Sequence, residues 1–142
     1  MSDRTPAGHE GARECVGALL RRDDGRVLLA RRVARAAWYP DAWDMVGGHV
    51  EPGERTEDAL VREIREELGV TALGWRRGGS FRLHDGHAAV LLHVYVVTRW
   101  AGVPTNAEPA EHRAVAWVTA ERACRLRLAD PALCDLLRRL SA

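Results

Sequence analysis

Residues 48–70 read GHVEPGERTEDALVREIREELGV, and this stretch decides both the fold and the chemistry. Gly48, Glu54, Arg62, Glu63, Glu66, Glu67 and Gly69 stand in a fixed frame, G-x5-E-x7-R-E-U-x-E-E-x-G-U, with Ile64 and Val70 as the bulky aliphatic U positions. Glu63, Glu66 and Glu67 fall at i, i+3 and i+4, which places three carboxylates on one face of a helix. Leu60, Ile64 and Leu68 fall at i, i+4 and i+8, an apolar stripe that anchors the same helix on a core. The spacing predicts a helix from about Thr56 to Leu68, with Gly69 as its left-handed C-cap.

Three crowded carboxylates repel one another, which raises their pKa values and costs stability. A hard divalent cation with a preference for oxygen, Mg²⁺ or Mn²⁺, resolves the conflict. Taken alone, REIREEL also suits a solvated acidic face on which Arg62 and Arg65 form ion pairs along the helix. The glycine and glutamate frame upstream turns the reading towards catalysis. Gly47, Gly48 and Gly53, with Pro52, describe a tight loop whose backbone can approach an ion or a phosphate closely.

The whole chain bounds what this segment can serve. Its 142 residues suit one domain. Residues 1–12 are small, polar and irregular and read as a disordered tail, leaving 13–142 as a single unit. A net charge of +1 argues against a dedicated nucleic-acid binder. All 21 basic residues are arginine, which looks like a coding bias more than a functional feature. No apolar run is long enough to span a membrane and no signal-peptide core is evident, so a cytoplasmic location is expected. Cys15, Cys124 and Cys134 are odd in number and lack metal-like spacing, which suits free thiols in a reducing compartment. His84 and His87 could suggest a metal pair, but HDGH reads better as a turn.

Cys15–Leu20 and Arg26–Arg32 flank the turn Asp23-Asp24-Gly25 and read as a β-hairpin. Trp43–Val46 reads as one short strand leading into the glycine loop. Residues 71–83 and 87–100 are extended on either side of Asp85-Gly86, and VLLHVYVV is the strongest strand signal in the chain. Ala114–Val118 adds a strand, followed by a short helix near Thr119–Arg125. Asp130 as N-cap and Pro131 at the first position start a last helix ending near Leu140. Strands that precede, separate and follow helices argue for an α/β fold, a central mixed sheet covered on both sides.

The frame at 48–70 resembles the Nudix box, and all nine of its constrained positions are filled. The resemblance implies the Nudix α/β/α sandwich and a metal-dependent pyrophosphohydrolase, in which water attacks a phosphorus of a diphosphate linkage. It implies Glu63 as a metal ligand or the base that activates water, and Glu66 and Glu67 as metal ligands. Arg62 would orient a carboxylate, and Glu54 would support the loop or a further ion. The backbone carbonyl of Gly47 would be another ligand. This chain departs from the family's usual proline before the two glycines and carries Val46 there.

YPDAW before the glycine loop and NAEPAEHRAVAWV near the C-terminus look like stretches of Nudix enzymes that cleave nucleoside triphosphates. In that group a late-loop glutamate approaches the metals or the water; Glu111 is the first candidate here and Glu108 the second. The marks of the ADP-ribose, diadenosine polyphosphate, NADH and coenzyme A subfamilies are missing. The expected substrate is therefore a small-molecule nucleotide, a nucleoside triphosphate or an oxidised one, with ADP-ribose or a nucleotide sugar as the alternative. Tyr39, Trp43 and Trp38 are candidates to stack on a base, and Arg31, Arg32 and Arg35 to contact phosphates. Expected partners are that nucleotide, no nucleic-acid polymer and no membrane, with a homodimer allowed. Two other classes remain open. An isopentenyl-diphosphate-isomerase-like enzyme needs a catalytic cysteine, and none lies near the box in sequence. A non-catalytic nucleotide-sensing module typically has a degraded box, and this one is intact.

Overall fold

A computed structural model describes residues 13–85 and 88–142, without the side chains of 84–88. The tail expected at 1–12 and the turn expected at HDGH therefore lie wholly or partly outside the described residues. In chain order the elements are β1 (Arg13–Leu20), β2 (Val27–Arg32), β3 (Trp43–Asp44), β4 (Val46–His49), α1 (Thr56–Leu68), β5 (Thr71–Asp85), β6 (Ala88–Ala101), β7 (His112–Val118), α2 (Ala120–Ala123) and α3 (Leu133–Leu140).

Alternation along the strands builds the layers. Val16, Ala18, Leu20, Tyr95 and Val97 point one way and pack on Leu60, Ile64 and Leu68 of α1. The intervening Leu19, Val94 and Val96 point the other way and pack on Leu133, Leu136, Leu137 and Leu140 of α3. Leu28 and Ala30 of β2 join the first core, and Val27 and Leu29 the second. Helices thus cover both faces, the α/β/α arrangement expected from the sequence. The strands form a four-stranded sheet, β4-β1-β6-β5, and a three-stranded one, β3-β2-β7. β1 runs parallel to β6 and antiparallel to β4, so the larger sheet is mixed.

Three expectations are corrected. β1 and β2 share a turn and one isolated bridge, Arg21 to Val27, but do not form a hairpin. β1 lies between β4 and β6, and β2 between β3 and β7, so neither has an edge left for the other. Trp43–Val46 is not one strand: Asp44 pairs with Ala30 in the small sheet, while Val46 pairs with Ala18 in the large one. The Asp44 carboxylate accepts the Met45 amide at 2.8 Å and marks the switch. Cys124 and Cys134 are not free thiols; they form a disulfide with Cα atoms 5.0 Å apart. Packing of α2 against α3 brings together two cysteines whose spacing carries no such signal, and the bond removes one support for a reducing compartment. Among the described residues no helix is long and apolar enough to cross a membrane.

The last helix begins later than expected. Asp130 accepts the Ala132 amide on its side chain at 2.8 Å and the Leu133 amide on its carbonyl at 3.0 Å, a turn that precedes regular helix at Leu133.

Candidate active site

α1 is fixed by its stripe: Leu60, Ile64 and Leu68 are completely buried, and Gly69 closes the helix with φ of 73°. That rotation carries Glu67 inward with the stripe, leaving it 2% exposed. Glu63, one turn earlier, lies under the glycine loop. A Cβ on Gly48 would stand 2.5 Å from a Glu63 carboxylate oxygen. A Cβ on Gly47, where φ is 151°, would stand 2.0 Å from the Val16 carbonyl oxygen of β1. Both positions therefore require glycine, one for strand pairing and the other to leave room for a carboxylate. The Gly47 amide points at both oxygens of Glu67, at 3.3 and 3.4 Å.

Arg62 joins the loop to the helix. Its Nε and Nη2 donate to the two oxygens of Glu54 at 2.9 and 3.0 Å, its Nη2 also to the His49 carbonyl at 3.0 Å, and its Nη1 to Glu63 at 2.8 Å. Glu54 in turn accepts the Glu51 amide. The fork of Arg62, with the Glu51 amide, holds Glu54 down to about 2. Glu66 faces outward, with 53% of its side chain exposed and Arg62 at 3.5 Å.

Glu63 and Glu67 behave in the opposite way. Burial, with the hydrogen bond and charge of Glu67, pushes Glu63 up to about 7. Burial also pushes Glu67 up to about 7, with the nearby charges of Glu111 and Glu108 adding to it and hydrogen bonds from Glu63 and the Gly47 amide working against it. The metal-free pair therefore favours a protonated form more than ordinary glutamates do.

The late loop reaches the same place. Glu111 and His112 lie where the loop enters β7, and a ligand atom from each, with one from Glu67, fits within 4.8 Å. His112 Nε2 is 2.7 Å from Glu67 Oε1, in a buried contact spanning 45 positions of sequence. Burial lowers the His112 pKa, and the neighbouring carboxylates oppose this. Sequence reasoning points to Glu111 but not to His112, although both stand in the stretch NAEPAEHRAVAWV. A histidine directly after the candidate late-loop glutamate was the available signal.

A cavity of about 500 Å³ opens beside these groups. Glu63, Glu67, Glu111, His112, Gly47 and Gly48 line one part of it, and Arg32, Trp38 and Tyr39 another. Glu108, Glu66, Arg31, Arg35 and Trp43 do not line it. Adjacent strand residues point to opposite sides: Arg32 lines the cavity and donates its Nε to the Trp38 carbonyl at 2.7 Å, whereas Arg31 donates to the Asp41 carbonyl at 3.1 Å. Trp43 packs on the α3 core. Cys15, remote from the box in sequence, does line the cavity.

The donor set fits a hard divalent cation. Two carboxylates are forced together under a loop that a single Cβ would close, and their raised pKa values register a charge conflict that a cation relieves.

Comparison with known proteins agrees with this geometry. Residues 11–140 match the NUDIX domain family. The chain is 36% identical over 129 residues to the CTP pyrophosphohydrolase of Escherichia coli (strain K12), covering 91% of each. Over a shorter stretch of 47 residues, 33% of each chain, it is 55% identical to nucleoside triphosphatase NudI of Salmonella heidelberg (strain SL476). The crystal structure of a MutT NUDIX hydrolase from Burkholderia pseudomallei superposes with a TM-score of 0.77 at 29% identity, covering 91% of this chain and 98% of that one. The chain belongs to the Nudix family: it is a MutT-like Nudix hydrolase, a pyrophosphohydrolase.

Proposed function

We propose that the chain hydrolyses a nucleoside triphosphate to the monophosphate and pyrophosphate, with Mg²⁺ or Mn²⁺ as cofactor. The observation that carries this reading is the Glu63–Glu67 pair, two carboxylates pushed up to about 7 at the floor of a cavity large enough for a nucleotide. The likeness to a CTP pyrophosphohydrolase over 91% of the chain supports the triphosphate as substrate.

Glu63, Glu67 and the Gly47 carbonyl would hold the cation, with Glu66 at the outer edge. When bound, the cation neutralises charge developing on phosphate oxygens and makes water a better nucleophile. Glu63 stands beside the cation as a ligand or as the group that takes the proton of the attacking water. Arg62 holds one Glu63 oxygen at 2.8 Å and so fixes the direction of the other. Glu111, at the cavity wall, orients the water or a further cation. Arg32 contacts the phosphates and Tyr39, with Trp38, the base.

Product analysis tests the proposal. CTP, dCTP, dGTP, 8-oxo-dGTP and ADP-ribose are each incubated with the protein and Mg²⁺, and products are separated by ion-exchange chromatography. Monophosphate and pyrophosphate from at least one triphosphate are expected, with phosphate monoesters inert. Release of orthophosphate instead of pyrophosphate, or a preference for ADP-ribose, overturns the proposed reaction or substrate respectively.

A further inference from the structure

We propose that His112 is a positioning residue for Glu67: its imidazole carries the proton on Nε2 and donates it to Glu67 Oε1, leaving Oε2 for the cation. The proposal rests on the metal-dependent reading above and adds to it a residue that no part of the box contains.

The placement of His112 is fixed by its backbone. Its amide donates to the Glu108 carbonyl at 3.0 Å, and its carbonyl accepts Asn106 Nδ2 at 2.7 Å. It pairs with Arg32 across a register shift in β2. The side chain is 9% exposed, so the ring cannot turn to water for a partner. Nε2 lies 2.7 Å from Glu67 Oε1, while Nδ1 is buried and has no hydrogen-bond partner among the described residues.

These contacts select a tautomer. A neutral imidazole has one N–H. On Nδ1 that proton would be a buried donor with no acceptor, and the bare Nε2 lone pair would face the carboxylate. On Nε2 it meets an acceptor at hydrogen-bond distance, and the orphaned atom is only a weakly demanding lone pair. Glu67 is then held from two sides, by the Gly47 amide on the loop and by His112 on the late strand. A carboxylate fixed in this way presents one oxygen in a set direction. Partners of this kind typically change metal affinity 10–100-fold when removed. The competing reading makes His112 itself a ligand alongside Glu67 and Glu111. Ligation through Nε2, the nitrogen that faces Glu67, requires its lone pair, which the proposed tautomer does not have.

Two measurements decide. The first is a two-bond ¹H–¹⁵N correlation spectrum of the metal-free protein, with His112 assigned by comparison with His112→Gln. The Nε2–H tautomer is expected; the Nδ1–H tautomer overturns the proposal. This readout needs neither metal nor activity, so it stands even if the metal-dependent reading fails. The second is calorimetric titration of Mn²⁺ into the substrate-free protein. His112→Phe, which keeps the ring volume but has no donor, is expected to weaken binding about 10–100-fold. His112→Gln, whose amide can reach the Nε2 position, is expected to bind within about 3-fold of wild type, by the same hydrogen-bond argument. Failure of Gln to rescue, or Mn²⁺ binding by a folded His112→Phe protein at full strength, overturns the positioning role. So does direct coupling of Mn²⁺ to an imidazole nitrogen in pulsed EPR. If His112→Phe does not fold, the Gln variant and the tautomer still decide. Absence of Mn²⁺ binding by wild type sinks the metal-dependent reading instead.

Discussion

Glu54 and Glu67 belong to the same sequence frame, carry the same side chain, and behave as opposites. Glu54 sits in the fork of Arg62 and is held down to about 2. Glu67 is buried beside Glu63 with no arginine bonded to it among the described residues, and it is pushed up to about 7. The difference is made by the partner and the solvent, since residue type is constant. The box therefore divides into a brace, Glu54–Arg62, that ties loop to helix, and a floor, Glu63–Glu67, where two buried carboxylates meet and where, on the proposed function, a cation would bind.

The largest expected effect falls on the floor. Glu67→Gln keeps side-chain shape and removes charge, so kcat should fall at least about 10²-fold while the circular dichroism spectrum is unchanged. Activity in EDTA should be lost as well. Full activity in either case would erase the distinction between floor and brace. Glu63→Gln should cost more rate than Glu111→Gln in steady-state assays, because Glu63 lies on the floor and Glu111 is an exposed residue at the wall. A larger loss at Glu111 would move the base to the late loop.

Disturbing the brace should act mainly on structure. Arg62→Ala removes donors from Glu54, Glu63 and the His49 carbonyl together. It should lower the melting temperature by about 3 °C for each kcal/mol lost and raise KM through a loosened loop. Glu54→Gln should do so more weakly, with kcat within about 10-fold of wild type. A Glu54→Gln protein as inactive as Glu67→Gln would show that the brace is itself part of the chemistry.

The smallest effect is on stability against pH. In metal-free protein Glu63 and Glu67 titrate near 7 when folded, against an ordinary 4.5. Between those values the folded state holds protons that the unfolded chain has released, so stability falls as pH rises through the window. Urea unfolding in EDTA should show about 1–3 kcal/mol less stability at pH 8 than at pH 5. Glu63→Gln should flatten part of that slope. The Glu54–Arg62 pair contributes in the other sense: its stabilisation is fully present above the ordinary 4.5 and is lost as pH falls from there to about 2.

What the sequence made legible follows from range. α1 and its cap were readable because a 3.6-residue period, a glycine stop and a fixed frame all act within 23 residues, 48 to 70. Arg62, expected to orient a carboxylate, and Glu111, expected to approach the metals or the water, came from resemblance; Arg62 lies 2.8 Å from Glu63, and Glu111 lies at the cavity wall. Contacts made through space were not readable. His112 meets Glu67 across 45 positions, and the Cys124–Cys134 bond depends on how α2 and α3 pack. The missed hairpin has the same origin: a turn at Asp23–Gly25 is local, but the neighbours that take the edges of β1 and β2 arrive much later in the chain. Arg31 and Arg32 show the finer limit. Neighbours in sequence, they part at the strand's pleat, and only Arg32 reaches the cavity.

The most direct test of the division between floor and brace is the shift in melting temperature that Mg²⁺ produces at pH 8. A cation that binds the folded state alone stabilises it by mass action. Wild type and Glu54→Gln should both melt at a higher temperature in millimolar Mg²⁺ than in EDTA, and Glu67→Gln should not respond. An equal Mg²⁺ shift in Glu67→Gln and wild type would contradict the assignment of the cation to the buried pair.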